Sequence, residues 1–215
     1  MTDQAPIILG VTGASGAVYA VRLLEVLLAT GRDVHLAVSP SGAAVVKQEL
    51  GFTLDLNHLT AADLSPDRTP LLAGRAAIAG AAPTPGELHC HSYHDFMAPI
   101  ASGSFLTGGM AVCPCSGTTL SAIAAGSAGN LIQRAAEVQL KERRQLVLVP
   151  REAPISLTHI DNMRRAAEAG AVILPAAPGW YHGVQNLCDL VDFVVARICD
   201  QLGVHNALMK RWGED

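Results

Sequence analysis

Charge is scarce in this chain. Of its 215 residues, 16% are Asp, Glu, Lys or Arg, where ordinary soluble domains carry about 25%. Aromatic residues are scarcer still, at 4%, while half of all residues are hydrophobic. That balance excludes intrinsic disorder, which needs low hydrophobicity and high net charge. Long hydrophobic runs are also missing, because no stretch of about 18 continuously apolar residues is present to cross a bilayer. The sharpest absence is local. No charged residue falls between Asp95 and Arg134, which leaves 38 uncharged positions in a row. That segment holds Pro99, Pro114 and six glycines among many Ser and Thr residues, so it is not a membrane span. There is no basic or acidic tail and the net charge is −4, which argues against a broad phosphate-neutralising surface for nucleic acid. The N-terminal MTDQAPIILG lacks the basic region of a signal peptide, so the cytoplasm is the expected location. The five cysteines, Cys90, Cys113, Cys115, Cys188 and Cys199, match no disulfide framework. Buried reduced thiols are expected.

What is present is an alternation of strand and helix. Pro6–Val11, Asp33–Ser39, Met110–Cys113, Gln145–Val149 and Ala171–Leu174 read as strands. Ala17–Thr30, Gly42–Leu50, Thr118–Ala125, Leu131–Arg144, Ser156–Ala169 and Asn186–Leu202 read as helices. Continuous apolar strands interleaved with helices predict an α/β fold: a Rossmann-like, flavodoxin-like parallel sheet with helices on both faces, in a single domain over 1–215. Residues 51–94 read as an irregular excursion, and about 203–215 as a C-terminal tail. In such sheets ligands bind beyond the carboxyl ends of the strands. The five strands are followed by TGASG, SPSG, PCSGTT, PREAP and PAAPGWYH.

These loops carry the candidate chemistry. Gly10-Val-Thr-Gly13-Ala14-Ser15-Gly16 is spaced GxxGxxG, neither GxGxxG nor a Walker loop. It suits a phosphate at a helix start, and it equally suits a tight strand–helix turn. Ser116-Gly117-Thr118-Thr119 sets three hydroxyls around a glycine at another helix start; N-capping accounts for one of them. Arg134, Glu137 and Lys141 fall along one helical face, which periodicity alone explains as a solvated face with local ion pairs. Arg151-Glu152 ends a buried strand. It offers a guanidinium fork and an acid/base group, or else a structural ion pair. His89-Cys90-His91 with His94 has metal-ligand residue types but lies in the irregular segment without partnering ligands nearby, so no metal is expected. Strand alternation places Cys113 and Cys115 on the same side of the sheet. No DDxxD-like cluster is present to hold a magnesium–diphosphate complex.

Taken together, VTGASGA (11–17), MAPIASGS (97–104), CPCSGTTLSAIA (113–124), NLIQRAAEVQLKERRQLVLVPREAP (130–154), GAVILPAAPGWYH (170–182), DLVDFVVARICDQLG (189–203) and RWGE (211–214) resemble the UbiX family of flavin prenyltransferases. The resemblance spans nearly the whole chain outside 51–94. It implies a Rossmann-like enzyme that transfers a dimethylallyl group from dimethylallyl phosphate, without a metal, to N5 and C6 of reduced FMN. The product, prenylated FMN, would serve a UbiD-type decarboxylase. It also implies a homo-oligomer, a dodecamer, with sites where subunits meet.

Carried over by motif, the resemblance implies that Gly13, Ala14, Ser15, Ser39, Ser116, Gly117, Thr118, Thr119 and Arg151 contact FMN. Arg134, Lys141, Tyr181 and Arg197 would hold the prenyl phosphate, and Trp212 would help close the pocket. Ser15, Glu49 and Glu152 are the acid/base candidates. Pro40-Ser41 stands where the family more often has Lys-Ala, which bears on the pocket rim around Ser39. The uncharged 96–133 stretch would line a dry site. Two rival readings use the same turns: an FMN-dependent decarboxylase of the cysteine-decarboxylase type, and a non-catalytic flavin carrier. Neither explains the Arg/Lys/Tyr set.

Overall fold

Short apolar runs become strands here because both of their faces are covered. In the computed structural model, which describes residues 5–213, β1 (Ile7–Val11), β2 (Val34–Val38) and β4 (Gly109–Cys115) are buried at every position. With β3 (Leu88–His91), β5 (Leu146–Pro150) and β6 (Val172–Ile173) they form one parallel six-stranded sheet in the order β3-β2-β1-β4-β5-β6. Chain order reverses between β1 and β4, which makes their carboxyl ends the switch point of the sheet.

Two hydrophobic layers flank the sheet. One gathers Ile7, Leu9 and Val11 with α1 (Ala17–Ala29), α2 (Pro40–Leu50) and α6 (Leu187–Gln201). The other gathers Ile8, Met110 and Val112 with α3 (Gly117–Ala125), α4 (Leu131–Lys141) and α5 (Leu157–Glu168). Most helices begin on a side-chain cap: Ser39, Ser116, Asn130, Ser156 and Asn186 each accept a main-chain N–H of the first turn. Each cap satisfies a donor that the helix ladder leaves over. Between α1 and α6, Arg22 is fully buried. Its guanidinium donates to Asp192 at 2.7 and 3.1 Å, to Glu25 at 2.6 Å and to the Ala76 carbonyl at 2.9 Å. Such a buried cation is tolerated because its donors are met.

Three expectations need correction. Residues 51–94 are not irregular throughout. They contain short 3-10 turns at Ala61–Leu64, Pro66–Arg68 and Pro70–Leu72, and then β3. LHCH escapes detection because it is an edge strand without an apolar run. The Leu131 helix stops at Lys141 rather than Arg144, since Arg143 takes a left-handed φ of 54°. The Arg144 guanidinium is then spent on the carbonyls of Gly103 and Phe105. Finally, Cys113 and Cys115 lie in opposite layers. The β4–β5 register slips between Val112 and Cys115, which breaks the alternation. Burial raises both thiols, Cys115 to about 12, so neither is a thiolate near neutrality.

The histidines of β3 stack against β2. His35 sits opposite His89 with ring centroids 4.7 Å apart, and its Nδ1 lies 2.8 Å from His91 Nε2. Burial, and then the like charges of His91 and His89, lower the His35 pKa from 6.5 to about 4. The unfolded chain thus takes up a proton that the fold refuses, so stability falls as pH drops from about 6.5 to 4. Thermal midpoints measured from pH 7 to 4.5 should fall less steeply for His35→Gln than for the native chain.

Candidate active site

The site is assembled by hydrogen bonds between loops that are far apart in sequence. Thr12, just past β1, donates its Oγ1–H to the Pro114 carbonyl at 2.7 Å and accepts the Ser116 N–H at 2.8 Å. The Ser39 N–H donates to the Val11 carbonyl at 2.9 Å, and Arg151 Nε reaches the Ser15 carbonyl at 3.4 Å. The exits of β1, β2, β4 and β5 therefore converge on one crevice. Tied together at these exits are Ser15 with Arg151, the α1 start with Glu49, and Thr12 with the α3 cap Ser116; Arg151 and Glu152 also line a cleft beside α3. Thr12 carries no one-dimensional signal; only the pairing of β1 with β4 reveals it.

The two helix starts in the crevice differ. At α1 the N–H groups of Gly16 and Ala17 both reach the Glu49 carboxylate, at 2.9 Å each. Gly16 adopts a φ of 113° that favours glycine. The first turn is thus capped by this chain's own anion, which is the structural alternative for its amides. At α3 the Ser116 hydroxyl accepts the Thr119 N–H at 3.4 Å and donates to Thr119 Oγ1 at 3.0 Å. Two of the three hydroxyls therefore serve the cap. Thr118 is exposed, and the first-turn N–H groups of Gly117 and Thr118 stand outside the helix ladder. Exposed hydroxyl, free helix N–H groups and the nearby Arg151 form a donor set that fits the phosphate of a bound cofactor. Gly117 keeps this surface low, since a Cβ there would fall 2.6 Å from His159 Nε2. Beside it lies a cleft of about 280 Å³ lined by Leu120, Arg151, Glu152, Ile155, His159 and Met163. Its walls are mostly apolar.

The residues expected to hold the prenyl phosphate are not brought together in one chain. Arg134 and Lys141 lie on α4, in the layer of Leu131 and Ile132. Arg134 pairs with Glu137 at 2.9 Å and donates to the Ala101 carbonyl, and Lys141 pairs with Glu142 at 2.6 Å. Arg197 lies on α6, in the opposite layer, and pairs with Asp200 at 2.9 Å. Tyr181 packs edge-on against Phe193 of α6 and against Trp212 at 5.4 Å. Tyr181 and Trp212 are both exposed. Each half keeps open, chargeable or aromatic groups at the surface. Among the described residues no group of three or more His, Cys, Asp or Glu is arranged to hold a metal ion. Nor is any helix there long and apolar enough to cross a membrane.

A doubly wound sheet with a phosphate-fitting crevice at its switch point defines a nucleotide-cofactor fold, and the family model described as Flavoprotein matches residues 1–199. A curated flavin prenyltransferase UbiX from Pseudomonas aeruginosa is 47% identical over 100% of this chain and 97% of its own. The chain belongs to the UbiX family of flavin prenyltransferases. Among solved structures, AnUbiX (PadA1) in complex with FMN and dimethylallyl pyrophosphate superposes with a TM-score of 0.80, at 34% identity over 99% of both chains. A dodecameric FMN-dependent UbiX-like decarboxylase from Escherichia coli O157:H7 gives 0.78 at 36% identity, over 96% of this chain and 98% of that one.

The Glu49 cap is directly testable. Glu49→Ala leaves two helix amides without their acceptor and should cost about 1 kcal/mol in chemical denaturation. Glu49→Gln retains one acceptor oxygen and should cost less.

Proposed function

We propose that the protein transfers a dimethylallyl group from dimethylallyl phosphate to N5 and C6 of reduced FMN, making prenylated FMN. The observation that carries this reading is the cleft where α3, Arg151 and Glu152 meet, with Arg151 reaching across to Ser15 at the switch point, in a chain whose relatives over its full length are flavin prenyltransferases. Bound FMN supplies the nucleophilic nitrogen and carbon. Gly13, Ala14, Ser15 and Ser39 border its place on one side, Ser116, Gly117, Thr118 and Thr119 on the other, with Arg151 between them.

The remaining work falls to this chain's own groups. Cleaving an allylic C–O bond builds negative charge on the departing phosphate. Arg134, Lys141, Arg197 and the Tyr181 hydroxyl meet that charge. Apolar walls exclude the water that would trap an allylic cation. Glu152, half-exposed in the cleft, takes or gives the proton needed at ring closure. Glu49 and Ser15 are the other proton-handling candidates, and Trp212 closes the rim.

The split of the phosphate-binding cations between two layers carries a second part of the reading. A neighbouring copy brings Arg134 and Lys141 to another copy's Tyr181 and Arg197, so the working unit is a homo-oligomer, a dodecamer like the similar E. coli protein. The product goes to a UbiD-type decarboxylase, and the protein works in the cytoplasm. The lack of a DDxxD-like acidic cluster to hold a magnesium–diphosphate complex supports the monophosphate as donor.

Anaerobic incubation with reduced FMN and dimethylallyl phosphate should give a flavin heavier by one C5 unit in mass spectrometry. Unmodified flavin with both the mono- and the diphosphate donor would overturn the reading. So would carbon dioxide release from a peptidyl-cysteine substrate with no prenyl donor. Glu152→Gln should retain FMN but slow single-turnover alkylation about 100-fold. The shared site has its own check. Arg134→Ala and Arg197→Ala should each be inactive alone and regain activity when co-assembled; no recovery in mixed oligomers would place both residues in one protomer's site.

A further inference from the structure

Glu152 has two polar neighbours. One is the main-chain N–H of Ala153, which reaches its Oε1 at 3.3 Å. The other is His159, on the first turn of α5, whose Nε2 lies 3.9 Å from Glu152 Oε2. We propose that His159 is a positioning residue for Glu152: its Nε2–H holds the carboxylate at the cleft, and Ser156 fixes the tautomer that carries this proton. The inference rests on the reading of Glu152 as the proton-handling group of the site.

Three observations lead there. First, His159 and Glu152 line the same cleft as Arg151 and Leu120. The ring also lies over Gly117 closely enough to meet any side chain placed there. It is wedged between the helix start that fits the cofactor phosphate and the group that moves the proton. Second, Ser156 Oγ lies 2.7 Å from His159 Nδ1 and already accepts the His159 main-chain N–H at 3.2 Å. A hydroxyl that accepts at the helix cap has its own hydrogen free to give. Donation to Nδ1 makes that nitrogen the acceptor and leaves the proton on Nε2, facing Glu152. Third, 3.9 Å is ion-pair range but beyond a hydrogen bond. Both side chains keep partial exposure, 30% for His159 and 46% for Glu152. A small rotation of Glu152 closes the gap, as catalytic contacts commonly do only once a site is filled.

The same residues also show why sequence inspection passes over His159. Ser156-x-x-His159 reads as an ordinary helix cap, and nothing in one dimension links it to Gly117 or Glu152.

The test compares His159→Leu, which removes the donor, with His159→Gln, whose amide offers one from a similar position. The expected result for His159→Leu is a fall in kcat of about tenfold or more, with FMN affinity, oligomeric state and the KM for the prenyl donor unchanged. His159→Gln should recover most of the loss. On a Glu152→Gln background, His159→Leu should add nothing further, because one residue acts through the other. Crystal structures supply a readout independent of turnover: Glu152 should leave the cleft in His159→Leu and stay there in His159→Gln. Native kcat in His159→Leu, a full additional loss on the Glu152→Gln background, or an unmoved Glu152 would each overturn the proposal. If the native protein alkylates no flavin, the parent reading fails, and the Glu152 position in the crystals still decides the role of His159.

Discussion

Most of the site depends on one hydroxyl group. Thr12 Oγ1 bridges the exits of β1 and β4 by donating to Pro114 and accepting from Ser116. At a switch point the loops of neighbouring strands run to opposite sides of the sheet and leave a crevice between them. Thr12 is itself buried, so its hydrogen bonds form where water does not compete. With β1 and β4 pinned together, α1 and α3 start from neighbouring strands on opposite sides of the sheet. Their N-termini then take different fates: Glu49 caps the amides of the first, and the second is capped by Ser116 with the His159 ring lying over Gly117.

The economy of charge follows from the same architecture. The uncharged 96–133 segment supplies β4 and α3 and the start of α4, and much of it is core. Burying an unpaired charge there would be costly. Three large apolar side chains of this segment, Phe96, Met97 and Leu106, nonetheless stand out to solvent, as surfaces do where another chain docks. Arg134 and Lys141 on α4 and Arg197 on α6 lie in opposite layers. Arg22, by contrast, is buried and joins α1 to Asp192 of α6, to Glu25 and to the Ala76 carbonyl.

Much of this architecture was legible in one dimension. Apolar runs such as IILGV and LVLVP announced their strands, and Ser, Asn and Gly residues marked most helix ends. The pattern failed where another force overrode it. LHCH is half-polar because an edge strand has one partner and little core to meet, and its histidines find their partner in His35 across the sheet. Cys115 changes layers because a register slip intervenes. The Leu131 helix ends early because Arg143 leaves the helical region.

The sequence by itself determined the alternation of strand and helix, the parallel sheet that this implies, the loops that carry the chemistry and the family to which they belong. These are local matters of periodicity, turn chemistry and motif. Tertiary structure alone decided which loops touch. It paired Glu49 with the amides of α1, set Thr12 between β1 and β4, laid His159 over Gly117 beside Glu152, and parted Arg134 from Arg197. The reason is that strand order is not chain order: β1 lies against β4, so residues about a hundred positions apart share one hydrogen bond.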